Sequence, residues 1–236
     1  TMSRTFSISS SLQWYQQQGL IKLTIQQQPK GQLTPHLLNY FSGSVAEDGD
    51  VKQPVVHLTD ASGDFVLQQQ SQPMLLLAAG SGVTPLHAML SSITRLTQPT
   101  LLIYSYRGVG SLLFAESWRQ LQQRFPLLQV QLLDTTGRGR LQPEEVTGWL
   151  ADKPNSQIYL CGPLSFSQYW LQQFRLLDIP QSQIRQESYG FVSGPSQNDE
   201  QISHQITVSN TGQQLTLQSC TGSLLQDLEA AGLTPA

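Results

Sequence analysis

Beyond residue 73 the chain settles into a regular rhythm. Largely apolar runs at 73–79, 100–106, 127–133 and 157–161 have the length of strands in a sheet covered on both faces. Between and after them, residues 84–96, 111–124, 143–150 and 165–177 repeat apolar positions every three or four residues, as amphipathic helices do. Strand and helix in alternation predict a doubly wound parallel sheet, whose ligands sit at the carboxyl ends of its strands.

The first part of the chain has a different pattern. Short β-type runs at 5–9, 20–26, 55–59 and 64–67 are separated by turns and predict part of an antiparallel barrel. A helix interrupts them, opening at Thr34-Pro35 and carrying Leu37, Leu38 and Phe41 on one stripe. Residues 193–200 are rich in Gly, Pro, Ser and Asn and read as a linker. After it, 202–208 and 215–218 predict a hairpin and 221–231 a helix, in a unit too small to be stable alone. The expected domains are therefore 1–70, 71–192 and 201–236, with 193–200 as the connection.

Composition narrows the function classes. The 236 residues are 39% hydrophobic but only 12% charged, about half the usual charged share, and glutamine supplies much of the polarity. A formal net charge of −3 without a cluster of Lys or Arg argues against nucleic acid as a partner. The apolar runs are too short to span a bilayer, and the first residues lack a signal pattern, so a cytoplasmic protein is expected. Two cysteines, Cys161 and Cys220, make neither a disulfide framework nor a metal site.

Candidate chemistry lies in four short segments. Gly80-Ser81-Gly82-Val83-Thr84-Pro85 follows a strand and opens a helix, so its glycines let backbone N–H groups approach a phosphate, with Thr84 expected to cap the helix. Gly31-Gln32-Leu33-Thr34-Pro35 repeats the glycine and Thr-Pro opening, although such openings also start helices that bind nothing. Arg4-Thr5-Phe6-Ser7 offers a cation for a pyrophosphate, an aromatic face for a ring and a hydroxyl for a ring nitrogen. Cys161-Gly162-Pro163 ends a strand where a sheet's ligand lies, and no His at a recognisable spacing pairs with Cys161 as a base, which argues against covalent catalysis. Ser81 is not a hydrolase nucleophile, because Ala79 and Val83 stand where an elbow requires glycine.

In this order, together with Gly63-Asp64-Phe65 and Glu187-Ser188-Tyr189-Gly190, these segments resemble the ferredoxin-NADP reductase family, and in particular bacterial reductases with a C-terminal plant-type ferredoxin domain. The resemblance covers about residues 4 to 190. It implies an α/β protein in which a partial antiparallel flavin-binding barrel precedes the nucleotide-binding sheet and an incomplete β-grasp ferredoxin start follows it. The chain is expected to begin inside the barrel and to end before the cysteine loop that holds a [2Fe-2S] cluster.

The same resemblance assigns roles by position. Arg4 would bind the pyrophosphate of FAD or FMN, Phe6 would stack on its ring in place of the commoner tyrosine, and Ser7 would hydrogen-bond near the reactive nitrogen. Thr24, Ile25 and Gln26 would line the flavin, and Gln32, Leu33 and Thr34 would give a second phosphate contact. Gly80, Ser81, Gly82 and Thr84 would hold NADPH or NADH. Cys161, with Gly162 and Pro163, would sit beside the hydride-donating carbon, and Tyr189 would shield the flavin. Arg107, Arg138 and Arg140 follow the second and third strands, where cations would meet a 2′-phosphate and favour NADPH. The implied activity is hydride transfer from NAD(P)H to flavin, with Ser7 and Cys161 at the reacting atoms, then single-electron transfer to an iron-sulfur protein serving an oxygenase, hydroxylase or desaturase. The alternative is a nucleotide-binding or electron-transfer interaction subunit without catalysis.

Overall fold

The computed structural model describes residues 4–27, 31, 33–42, 56–68, 70–189, 203–208 and 213–218. The chain divides into two compact units, Thr1–Ser188 and Tyr189–Ala236.

In the first unit, β1 (Met74–Ala79), β2 (Thr100–Tyr106), β3 (Leu128–Asp134), β4 (Gln157–Pro163) and β5 (Ile184–Tyr189) form one sheet in the order β3-β2-β1-β4-β5. The pairs β1–β2, β1–β4 and β2–β3 are parallel. Helices α3 (Val83–Ser92), α4 (Ala115–Arg124), α5 (Glu144–Asp152) and α6 (Leu164–Leu176) connect the strands. These elements match the rhythm of the sequence to within a few residues at each end.

Alternation along β1 assigns the two faces. Met74, Leu76 and Ala78 join Leu86, Leu90, Trp118 and Leu121 from α3 and α4 in one core. Leu75 and Leu77 join Val146, Leu150, Trp170 and Phe174 from α5 and α6 in the other. Successive strand residues point to opposite faces, so a strand of six apolar residues serves both layers. Each leucine buried this way contributes about 1.5–3 kcal/mol relative to exposure. β3 is an edge strand, and Gln129, Gln131 and Leu132 are exposed on it. The strand order reverses between β1 and β4, which makes the carboxyl ends of those two strands the topological switch point where ligands bind.

Residues 4–68 differ from the expected barrel strands. Among the described residues there, β pairing is confined to one antiparallel bridge, Ile8 with Leu23. Hydroxyl side chains take the places of ladder rungs: Ser9 Oγ donates to the Lys22 carbonyl at 3.0 Å, and Ser10 Oγ accepts from the Lys22 N–H at 3.0 Å. Between the two segments lies a helix that the apolar pattern does not announce, α1 (Leu12–Gln18). Ser11 caps it by accepting from the Trp14 N–H at 3.1 Å, and Gly19 ends it at φ +65°. α2 (Leu33–Ser42) forms as its Thr-Pro opening predicts. Residues 56–68 are extended without a ladder, although Gln68 N–H donates to the Tyr159 hydroxyl at 2.9 Å and Phe65 packs edge-on against that ring.

In the second unit, β6 (Ser203–Val208) and β7 (Gln213–Gln218) pair antiparallel, as the expected hairpin requires. The linker 193–200, the helix 221–231, Cys220, Gln32 and Gly190 lie outside the described residues.

Candidate functional site at the carboxyl end of the sheet

The loop after β1 is shaped by its glycines. Gly80 adopts φ +56°, a left-handed conformation that glycine alone enters without steric cost, and Gly80–Gly82 forms a 3₁₀ turn that leads into α3. At Gly82 a Cβ would stand 2.3 Å from the Cys161 carbonyl oxygen and 2.6 Å from the Gly162 nitrogen. The loop after β1 therefore lies directly on the backbone that ends β4, and a side chain at 82 would prevent that approach. Thr84 does not cap the helix as expected. It is buried in the first turn, and its hydroxyl donates to the Ser81 carbonyl at 2.9 Å, because the turn at 80–82 moves the cap position back to Gly82.

The loops after β2 and β3 are tied together by Asp134. Its carboxylate accepts from the Gly108 N–H at 2.9 Å, the Thr136 N–H at 3.0 Å and the Thr136 hydroxyl at 2.7 Å. The Thr136 hydroxyl, followed by the N–H groups of Thr136 and Gly108, holds this carboxyl below its ordinary pKa. Ser111 closes the loop after β2 on itself, donating to the Arg107 carbonyl and accepting from the Arg107 N–H.

Between these loops lies a cavity of about 650 Å³, with Gly80 and Ser81 on one side, Arg107 and Arg140 on another, and Phe166 and Tyr169 of α6 on a third. Thr24, Ile25 and Gln26 also line it, which brings a segment expected on the flavin side to the wall of the nucleotide side. An adjoining hollow is bounded by Arg107, Arg140, Thr135, Thr136 and Gly139. Neither arginine is in an ion pair among the described residues. Arg138, the third cation of the sequence pattern, is instead paired with Glu145 at the start of α5 and lines neither space.

A second cluster gathers at the end of β4. Ser7 Oγ donates to a Glu187 carboxylate oxygen at 2.8 Å, and Cys161 Sγ lies 4.0 Å from the same atom. Burial, reinforced by the negative charge of Glu187, pushes the Cys161 thiol far above its ordinary pKa, so it stays protonated and is not a nucleophile. Glu187 is half-buried, linking the Ser7 hydroxyl to the surface. It was not singled out by sequence as a functional side chain, since 180 residues separate it from Ser7.

The other expected residues are spread more widely. Arg4 is exposed, Phe6 is half-buried, and Leu33 and Thr34 are half-buried in the first turn of α2; none is among the described residues that line the cavity. Gly82, Thr84, Cys161 and Gly162 form the packed floor beneath the loops rather than its lining, and Pro163 is exposed at the start of α6. Tyr189 is exposed at the end of β5.

Comparison with known proteins agrees with this geometry. Residues 76–171 match the oxidoreductase NAD-binding domain family. The chain is 26% identical over 181 residues to a flavohemoprotein of Burkholderia sp. (strain TH2), covering 73% of this chain and 44% of that protein. It is 34% identical over 139 residues to the ferredoxin reductase component of a 3-ketosteroid-9-alpha-monooxygenase of Mycolicibacterium smegmatis, covering 57% and 38%. The fold is similar to that of a ferredoxin-NADP+ reductase from Plasmodium falciparum, with a TM-score of 0.58 at 15% identity, covering 79% of this chain and 77% of that one. The chain spans less than half the length of the curated relatives it matches. Residues 76–171 thus form an oxidoreductase NAD-binding domain, in a sheet whose switch point carries the glycine loop and the Cys-Gly-Pro turn, and the fold around it is similar to that of ferredoxin-NADP+ reductase.

Proposed function

We propose that this chain oxidises NAD(P)H and passes the electrons through a bound flavin, FAD in the first instance, to a one-electron acceptor. The observation that carries the reading is the meeting of Ser7, Cys161 and Glu187 at the end of β4, on whose backbone the glycine loop of β1 is seated, with Gly80 and Ser81 of that loop lining the cavity. A flavin supplies the exchange between a hydride pair and single electrons.

The residues present fit such a group. Cys161, buried and uncharged in the floor beneath the loops, places no negative charge beneath a flat ring. Ser7 presents a hydroxyl held by a carboxylate, a pair able to pass a proton between a ring nitrogen and the surface through Glu187. Thr24, Ile25 and Gln26 form a wall against which two rings can be brought together. Arg4 and Phe6, with Leu33, Thr34 and Gln32, are assigned to the flavin's phosphates and ring, and Tyr189 to its outer face. Gly80, Ser81 and Gly82 hold the nicotinamide nucleotide by backbone N–H groups.

Within this reading, residues 1–70 form the flavin side, 71–192 the nucleotide domain and 201–236 the start of a ferredoxin-like unit joined by 193–200. The electrons then go to a [2Fe-2S] centre that serves an oxygenase, hydroxylase or desaturase. Arg107 and Arg140, without ion-pair partners among the described residues, favour NADPH through its 2′-phosphate. The purified chain, loaded with FAD and mixed with NADPH without oxygen, is expected to lose its visible flavin absorbance. A protein that leaves the absorbance unchanged with both NADPH and NADH overturns the reading. Replacing Arg107 and Arg140 by alanine should cost NADPH roughly tenfold or more in affinity while leaving NADH unaffected. An equal loss for both nucleotides removes the 2′-phosphate assignment.

A further inference from the structure

His87 lies in the middle of α3, outside the cavity lining, and makes more specific contacts than helix packing requires. Its Nδ1 is 2.9 Å from the Ser9 carbonyl oxygen, so Nδ1 carries the proton and donates. Its Nε2 is 2.7 Å from Ser117 Oγ and accepts from that hydroxyl. The ring stacks on Phe114 at 4.0 Å between centroids and 11° between planes, and meets Trp118 edge-on at 5.1 Å. Phe114 takes φ +60° to offer that face, a costly conformation for a bulky residue that persists only where its surroundings determine it.

The acceptor of the His87 proton is a junction. Ser9 is 3% exposed, and its N–H and hydroxyl both donate to the Lys22 carbonyl, while Thr24 Oγ1 donates to Ser9 Oγ at 2.9 Å. Two residues before Ser9 stands Ser7, bonded to Glu187. Thr24 itself lines the cavity. A single imidazole therefore fixes, through one carbonyl, both the segment that carries the Ser7 hydroxyl and the segment that forms the cavity wall. Other bonds from α3 to this part of the chain, from the Leu12 N–H and Gln13 Nε2 to Ser92, reach α1 and not the two site segments.

We infer that His87 is a positioning residue for the reaction proposed above: its bond to the Ser9 carbonyl sets the Ser7 hydroxyl against Glu187 and Cys161 and Thr24 against the nucleotide loop. The inference rests on that function, and its test separates the two. Two variants divide the contacts of the imidazole. His87→Phe keeps a ring on Phe114 and removes the donor, whereas His87→Asn keeps an N–H near the place of Nδ1 and removes the ring.

The first readout is independent of catalysis. Amide hydrogen exchange at residues 7–10 and 22–24 should quicken in His87→Phe, with β1 and β4 protected as before, and return toward the original rate in His87→Asn. Unchanged exchange at Ser9 in His87→Phe overturns the inference, whether or not the chain reduces flavin. The second readout is anaerobic single-turnover reduction of bound FAD by NADPH. A displacement of Ser7 by a fraction of an ångström to 1 Å should slow hydride transfer roughly tenfold to a hundredfold in His87→Phe, with the Kd for NADPH changed less than about twofold, and His87→Asn should recover most of the rate. Equal rates in all three proteins, or His87→Asn as slow as His87→Phe, also overturn it. A parent chain that shows no reduction at all rejects the proposed function and leaves the exchange measurement to decide the role of His87.

Discussion

Replacing Gly82 by alanine tests whether the β1 loop is seated on the end of β4. The added Cβ would lie 2.3 Å from the Cys161 carbonyl oxygen, 2.5 Å from its carbon and 2.6 Å from the Gly162 nitrogen. A carbon–oxygen contact normally relaxes to about 3.3 Å, so the loop and the strand end must separate by about 1 Å. All three obstacles are backbone atoms, and no side chain can turn aside to make room. Gly162 has little room of its own, since a Cβ built there would stand 2.9 Å from Phe166 Cδ1 and 3.1 Å from Ala79 Cβ. Overpacking of this kind costs about 1–3 kcal/mol, which for a chain of this size lowers Tm by roughly 2–4 °C for each kcal/mol. The assay is thermal unfolding followed by circular dichroism, with Gly110→Ala as the comparison, because nothing lies within 4 Å of a Cβ built there. Calorimetric titration of both variants with NADPH then reports the loop. Gly82→Ala should unfold several degrees below Gly110→Ala and bind the nucleotide more weakly. Equal Tm values and equal affinities would refute the seating of the loop on β4.

Three further outcomes follow from other residues. Gly148 sits inside α5 with open space around its Cβ position, so Gly148→Ala should raise stability by about 0.5–1 kcal/mol in urea unfolding. Burial first, and the nearby Lys22 charge to a lesser extent, lower the pKa of His87 from its ordinary 6.5 against the opposing bond to Ser9. The unfolded chain then binds the extra proton, so this stability is complete above pH 6.5 and declines as pH falls toward the lower folded value; His87→Asn should flatten that part of the stability profile. Cys161, buried and held protonated, should resist iodoacetamide at mildly alkaline pH in the folded chain and react on denaturation, as followed on its own peptide by mass spectrometry.

The sheet was legible in the sequence because burial on two faces imposes long apolar runs, and the helices between them repeat a clear stripe. α1 was not, because Leu12–Gln18 is rich in glutamine, has no buried residue, and is held by the Ser11 cap and by Ser92, eighty residues away. β5 escaped for a related reason: only Ile184 is buried on this edge strand, so its pattern alternates weakly. In residues 5–26 the β-type runs were real as segments, but Ser9, Ser10 and Thr24 spend their hydroxyls on neighbouring groups, which local pattern does not reveal. The site divides in the same way. Glycine loops are written locally, whereas the meeting of Ser7 with Glu187, and the choice of Arg138 rather than Arg140 by Glu145, exist only after folding.

The all-apolar β1 carries a consequence for register. In a strand with one wet face, a slip by one residue exposes the wrong side and is rejected by solvent. Met74 to Ala78 would bury nearly as well after such a slip, because both sides of the strand are dry. A slip does, however, carry the turn at Gly80–Gly82 along the strand axis by about 3.3 Å, away from the backbone on which it is seated, at Cys161 and Gly162. The nucleotide loop thus serves as the stop that fixes the central strand, and a mutation that loosens the stop would allow misaligned sheets to compete during folding.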